Sequence, residues 1–86
     1  MPYRLELRPD ARRQLEKLDR RIRERIALLI ESLVENPRPR GTTKLAGYER
    51  RYRQRVGDYR IVYDVWDDAR LVLVEAIRHR RDVYRP

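Results

Sequence analysis

The chain has no cysteine and a single histidine. The first absence removes disulfides and thiolate metal sites. It fits a reducing compartment, and the cytoplasm is the expected location. Apolar residues nowhere run to the roughly 20 positions that a membrane helix needs, so no membrane partner is expected. The opening Met1-Pro2-Tyr3-Arg4-Leu5-Glu6-Leu7 alternates with charge and lacks the apolar centre of a secretory leader. There is no internal repeat and no low-complexity tract. Asp67 and Asp68 read as turn residues rather than a metal pair, and neither metal nor cofactor is expected. With 86 residues, 41% of them hydrophobic, the chain reads as one small domain over 1–86 with one thin core. A deep internal pocket does not fit into that core. A functional site is therefore expected on a surface or in an open groove.

Charge is what the sequence has in quantity. Charged residues make up 42% of it, and the formal net charge is +8. The excess is uneven. Residues 1–36 hold 9 basic and 7 acidic side chains, whereas residues 37–86 hold 13 and 7. General solubility accounts for some of this. Concentration in one half of the chain points to a polyanionic partner.

Tyr3, Leu5 and Leu7 alternate with charged residues, as in a short half-buried strand. Pro9-Asp10 suits a helix start. Ala11, Leu15 and Leu18 then mark one apolar helix face. Asp19 is placed to cap a second helix, whose stripe is Ile22, Ile26, Leu29, Ile30 and Leu33. Asn36-Pro37 stops it. A loop rich in Pro and Gly covers 36–47. Strands are expected near 50–56, 59–66 and 71–78, joined by turns at Gly57-Asp58 and Asp67-Asp68. The order β-α-α-β-β-β predicts a two-layer α+β domain, with a helix hairpin on one face of an antiparallel sheet. On the second strand, Arg51, Arg53 and Arg55 share one face, and Tyr52, Gln54 and Val56 the other. On the last strands both alternating sets are apolar, so parity leaves the faces open. Tyr48, Tyr52, Tyr59 and Tyr63 are expected in the core or at its rim, and Trp66 at a sheet end.

Several segments taken together resemble the RelE/ParE toxin superfamily of type II toxin–antitoxin systems. They are Lys44-Leu45-Ala46-Gly47, Arg55-Val56-Gly57-Asp58-Tyr59-Arg60-Ile61-Val62-Tyr63 and His79-Arg80-Arg81-Asp82-Val83-Tyr84, in the context of the leading strand and helix hairpin. The ending His-Arg-x-x-x-Tyr is similar to the RelE branch. That likeness implies an endoribonuclease that cleaves mRNA, typically on the ribosome. It also implies a cognate antitoxin as partner, and operator DNA bound only through the antitoxin complex. The catalytic set that the resemblance assigns is Arg53, Arg55, Arg60, Arg80 and Tyr84, with His79 beside them. Lys44, Arg51 and Arg81 are expected to add RNA contacts. The alternative is a ParE-like DNA gyrase inhibitor without nuclease chemistry. A third reading is a toxin that retains only antitoxin and DNA binding.

Metal-free RNA cleavage needs a base for the 2′-OH, positive charge at the phosphoryl oxygens and an acid for the leaving 5′-oxygen. Arginine serves the second need well and the first poorly, because it holds its proton. Related enzymes carry lysine on the second strand, where this chain has Arg53 and Arg55. His79, whose residue type titrates near neutrality, is the first candidate for proton transfer. Tyr84 is the second, and positioning without a strong base is the third.

Overall fold

A computed structural model describes residues 2–83. The chain begins with β1 (Arg4–Leu7), followed by α1 (Pro9–Glu16) and α2 (Arg20–Ser32). After a loop come β2 (Thr43–Lys44), β3 (Arg51–Val56), β4 (Tyr59–Trp66), β5 (Leu71–His79) and a single turn, α3 (Arg80–Val83). All five strands form one sheet in the order β1-β5-β4-β3-β2. The expected strand, helix pair and three-strand meander are all present.

The helices follow from their sequences. Pro9 stands at the start of α1, with Asp10 in the first turn, where a missing N–H costs nothing and a carboxylate meets the helix dipole. Asp19 occupies the N-cap of α2 but makes no capping hydrogen bond. The helix ends at Ser32 in a short turn, and Pro37 is buried just beyond it. Ala11 of α1 and Ile26 and Ile30 of α2, with Leu33 just after it, form the helical side of the core. Ile61, Tyr63 and Val65 of β4, with Val72, Val74 and Ile77 of β5, form the sheet side.

Three features depart from expectation. β1 runs parallel to β5, with Leu5 opposite Val72 and Leu7 opposite Val74, so the sheet is mixed rather than antiparallel throughout. The loop after α2 supplies the two-residue edge strand β2. The third departure explains the unreadable parity of β5. Val62 lies opposite Ala76 but Tyr63 lies opposite Val74, which leaves Glu75 as the extra residue of a β-bulge. One extra residue inverts the alternation. Val72 and Val74 before it, and Ile77 after it, therefore all face the helices. The side-chain amide oxygen of Gln14 in α1 accepts a hydrogen bond from the Ile77 N–H just past the bulge, at 2.9 Å.

Candidate nucleic-acid interface

Residues paired across adjacent strands share a sheet face. The register thus reads out the face turned away from the helices as a series of rows. One row is Arg55, Arg60 and Arg78, on β3, β4 and β5. The next is Thr43, Arg53, Val62 and Ala76. The third is Arg51, Asp64, Leu73 and Glu6. The last is Trp66, Leu71 and Arg4. The open face is basic at one end, mixed in its middle, where Val62, Ala76 and Leu73 sit beside Arg53, Arg51, Asp64 and Glu6, and carries Trp66 at the other end.

The basic end is held by the β3–β4 turn. Gly57 has a φ of 57°, which costs glycine nothing and makes the tight reversal. The Arg55 Nε donates to the Gly57 carbonyl at 3.2 Å. The Arg80 backbone N–H donates to the Asp58 carbonyl at 2.7 Å. The Arg80 guanidinium also lies 3.9 Å from the Asp58 carboxylate. These bonds tie α3 to the turn, so Arg80 stands at the end of the Arg55–Arg60–Arg78 row. Setting three guanidinium groups directly across from one another raises the energy of the folded sheet. An anion between them would reverse the sign of that interaction and receive paired, rigid donors.

The structure brings Arg53, Arg55, Arg60 and Arg80 to one end of the open face. It adds Arg78, which the sequence reading passed over. The signal was available in the run Arg78-His79-Arg80, but the bulge at Glu75 hid which face Arg78 takes. Other expected contacts fall elsewhere. Lys44 pairs with Tyr52 and so lies on the helix side, away from Arg53. Arg51 is on the open face, but it donates twice to Asp64, at 2.7 and 3.1 Å, and lies 3.4 Å from Glu75. Its guanidinium is held as a structural partner of that carboxylate pair. His79 lies opposite Tyr59, in the same alternation as Ile77, hence on the helix side. Its ring meets Tyr59 edge-on at 5.1 Å, and its Nδ1 accepts from the Arg81 N–H at 3.2 Å. The Arg81 side chain is exposed. Tyr84 lies outside the described residues.

The carboxylates beside Arg51 titrate apart. Burial is the largest influence on Asp64 and opposes its ionisation, but hydrogen bonding to Arg51 and to Glu75 and the charges of Arg51 and Arg50 outweigh it and hold the carboxyl below its ordinary value. Burial, then the neighbouring Asp64, pushes Glu75 above its ordinary value. Arg8 gives Glu75 a second cation at 3.4 Å. Among the described residues, no group of three or more His, Cys, Asp or Glu side chains is arranged to hold a metal. No described helix is long and apolar enough to cross a membrane.

Comparison with known proteins agrees with this architecture. Residues 5–84 match the family model described as the ParE toxin of the type II toxin–antitoxin system parDE. A candidate RelE-like toxin protein of Escherichia coli is 33% identical over 88 residues, covering 98% of this chain and 92% of that protein. A free E. coli RelE toxin carrying two arginine-to-alanine substitutions superposes with a TM-score of 0.81 at 27% identity, covering 95% of this chain and 87% of the other. The archaeal RelE–RelB complex from Pyrococcus horikoshii OT3 gives 0.83 at 27% identity, covering 93% and 97%. The RelBE2 toxin–antitoxin complex of Mycobacterium tuberculosis gives 0.79 at 28%, covering 93% and 100%. The chain belongs to the RelE/ParE family of type II toxin–antitoxin toxins.

Proposed function

We propose that this toxin is an mRNA interferase of the RelE kind. The carrying observation is the Arg55–Arg60–Arg78 row, with Arg53 one row inward and Arg80 at its end. In the proposed reaction the 2′-oxygen attacks the adjacent phosphorus. The P–O5′ bond breaks, leaving a 2′,3′-cyclic phosphate and a 5′-hydroxyl. The arginines hold the scissile phosphate and stabilise the charge that develops on its oxygens. They do not move protons. His79 lies on the helix side of the sheet, opposite the row, which leaves Tyr84 as the candidate for proton transfer. A substrate held in line on the ribosome needs less from it. The single domain over 1–86 would act in the cytoplasm. Its partner would be an antitoxin with an acidic or mixed-charge segment laid over the basic face, and it would reach operator DNA only through that complex. RelE–RelB complexes among the structural neighbours support the antitoxin assignment.

The match to a family model described by ParE favours a second reading, inhibition of DNA gyrase without nuclease chemistry. One experiment separates the two. RNA 5′ ends are mapped in cells after brief induction of the wild type and of Arg60→Ala, with DNA breaks scored in parallel. New 5′ ends within coding sequences, lost in a folded Arg60→Ala protein, support the interferase. Gyrase-dependent DNA breaks with no new RNA ends assign the gyrase reading instead.

A further inference from the structure

The far end of the open face carries a group that the phosphate site does not use. Tyr48 and Trp66 are exposed, at 52% and 40%. Each lies against an arginine. The Arg50 guanidinium sits 3.9 Å from the centre of the Trp66 ring, and Arg51 sits 4.7 Å from that of Tyr48. Arg51 is held by Asp64 at 2.7 Å, and Arg50 lies 3.5 Å from the exposed carboxylate of its neighbour Glu49. The rings and guanidinium planes line a shallow groove together with Gly47 and the carboxylates of Glu49 and Asp64. A side chain at Gly47 would meet open space, so the groove is unobstructed there.

Placement connects this groove to the basic row. Arg60 and Trp66 belong to the same strand at an even spacing, and β4 pairs with β3 without a break from Tyr59 to Asp64, the extra residue of the bulge lying on β5. They therefore project from one face, about 20 Å apart along the strand. Val62 and Asp64 lie between them on β4, the Asp64 carboxylate being paired with Arg51. A phosphate backbone gripped at Arg55, Arg60 and Arg78 and running along β4 would bring a base several nucleotides away over Trp66 and Tyr48. Flat, rigid, exposed aromatic and guanidinium surfaces accept any unpaired base by stacking.

The geometry points to a base-stacking subsite at Tyr48, Arg50 and Trp66, which takes an unpaired RNA base remote from the scissile phosphate. This deepens the interferase reading and rests on it. The subsite gives single-stranded RNA a second, uncharged hold on the sheet. It would favour messages whose base at that distance is free to unstack.

Trp66 is the only tryptophan of the chain, so its fluorescence reports on the subsite in the unmodified protein. The full-length wild type is titrated with a labelled single-stranded oligoribonucleotide, and label anisotropy and tryptophan emission are read together. The same oligonucleotide carrying abasic positions, and inorganic polyphosphate, serve as comparison probes. The RNA is expected to quench Trp66 as it binds. The abasic strand should bind about 5- to 100-fold more weakly with little quenching. Polyphosphate should bind without quenching. Trp66→Ala and Tyr48→Ala should lose most of the preference for the intact strand over the abasic one, and Trp66→Phe should retain it. Arg60→Ala should weaken binding of all three probes alike, while RNA still quenches at saturation. RNA binding with unchanged Trp66 emission and equal affinity for the abasic strand overturns the subsite and leaves the phosphate grip standing. Failure of every probe to bind overturns both. Emission that responds to an antitoxin segment and not to RNA assigns the groove to protein and likewise overturns the proposal.

Discussion

Arg51 and Arg53 project from the same face of β3, two residues apart, and their surroundings differ in kind. Arg51 is held by two carboxylates. Arg53 has no carboxylate within ion-pair distance among the described residues. Arg51→Ala should therefore destabilise the protein by about 2 kcal/mol, the scale of a charge-assisted hydrogen-bonded pair. Arg53→Ala should change stability by less than about 0.5 kcal/mol, while lowering RNA cleavage. Urea unfolding of the two variants, set against their cleavage in the same preparation, tests this contrast. Equal stability losses would mean that the pairing of Arg51 does not distinguish the two positions. Tyr63 gives a second residue-scale test. Its ring is fully buried and its hydroxyl donates to the Pro37 carbonyl at 2.7 Å. Beside it, the Gln54 amide donates to the Thr42 hydroxyl at 2.8 Å. These bonds fasten the loop after α2 to the sheet. Tyr63→Phe leaves a buried carbonyl unpaired and should cost about 1–3 kcal/mol. The loss should also appear as faster amide exchange in residues 37–43.

At the scale of elements, the bulge at Glu75 sets what the last strand presents. It turns Val72, Val74 and Ile77 together toward the helices, Arg78 outward and His79 inward. Deleting Glu75 would remove the extra residue and leave the pairs Val62–Ala76 and Tyr63–Val74 in place, so both halves of β5 keep their faces and the chain should still unfold cooperatively. Glu75→Gln keeps the backbone and should fold. Its pH behaviour follows from the shifted carboxyl. The raised value in the folded state means that the native protein binds this proton more tightly than the unfolded chain does. Glu75 therefore contributes less to stability as pH rises from the ordinary glutamate value through the folded one. The stability of the wild type relative to Glu75→Gln should fall across that interval. Asp64 is depressed, so the stability of the wild type relative to Asp64→Asn should instead fall as pH drops from the ordinary aspartate value through the folded one. Parallel slopes in denaturation measured across pH would contradict the assignment. The same bulge marks the limit of what the sequence discloses. Pro9, Gly57-Asp58 and the apolar stripe of α2 act locally, and each announced its element. A bulge depends on the partner strand, and without it neither the face of Arg78 nor that of His79 can be read. The side taken by Lys44 is equally non-local, because it follows from pairing with Tyr52 in a strand of two residues. The parallel β1–β5 pair joins segments more than sixty residues apart, with no turn between them to signal it.

For the whole molecule, the question is whether a net charge of +8 acts as a diffuse cloud or through one site. The two cases respond differently to salt. Binding a nucleic acid releases counterions in proportion to the phosphates neutralised, with a slope of about −0.7 per phosphate for single strands in a plot of log affinity against log salt. That slope counts contacts made rather than formal charge. Two triple variants remove the same amount of charge from different places. One replaces Arg55, Arg60 and Arg78 with alanine, emptying the row at the end of the open face. The other replaces Arg12 on α1 and Arg20 and Arg21 on α2, all exposed on the helices. If each arginine of the row meets a phosphate, the first variant should lose about 2 from the magnitude of the slope, and its affinity at low salt should drop most. The second should bind somewhat more slowly, because long-range attraction is weaker, yet keep the wild-type slope. Anisotropy of a labelled single-stranded RNA, measured from low to physiological salt, separates these outcomes. Equal slopes in both variants would make the sheet face no more than a share of a generally basic surface. A changed slope in the sheet variant alone would locate the grip on the backbone at the three arginines that β3, β4 and β5 hold side by side.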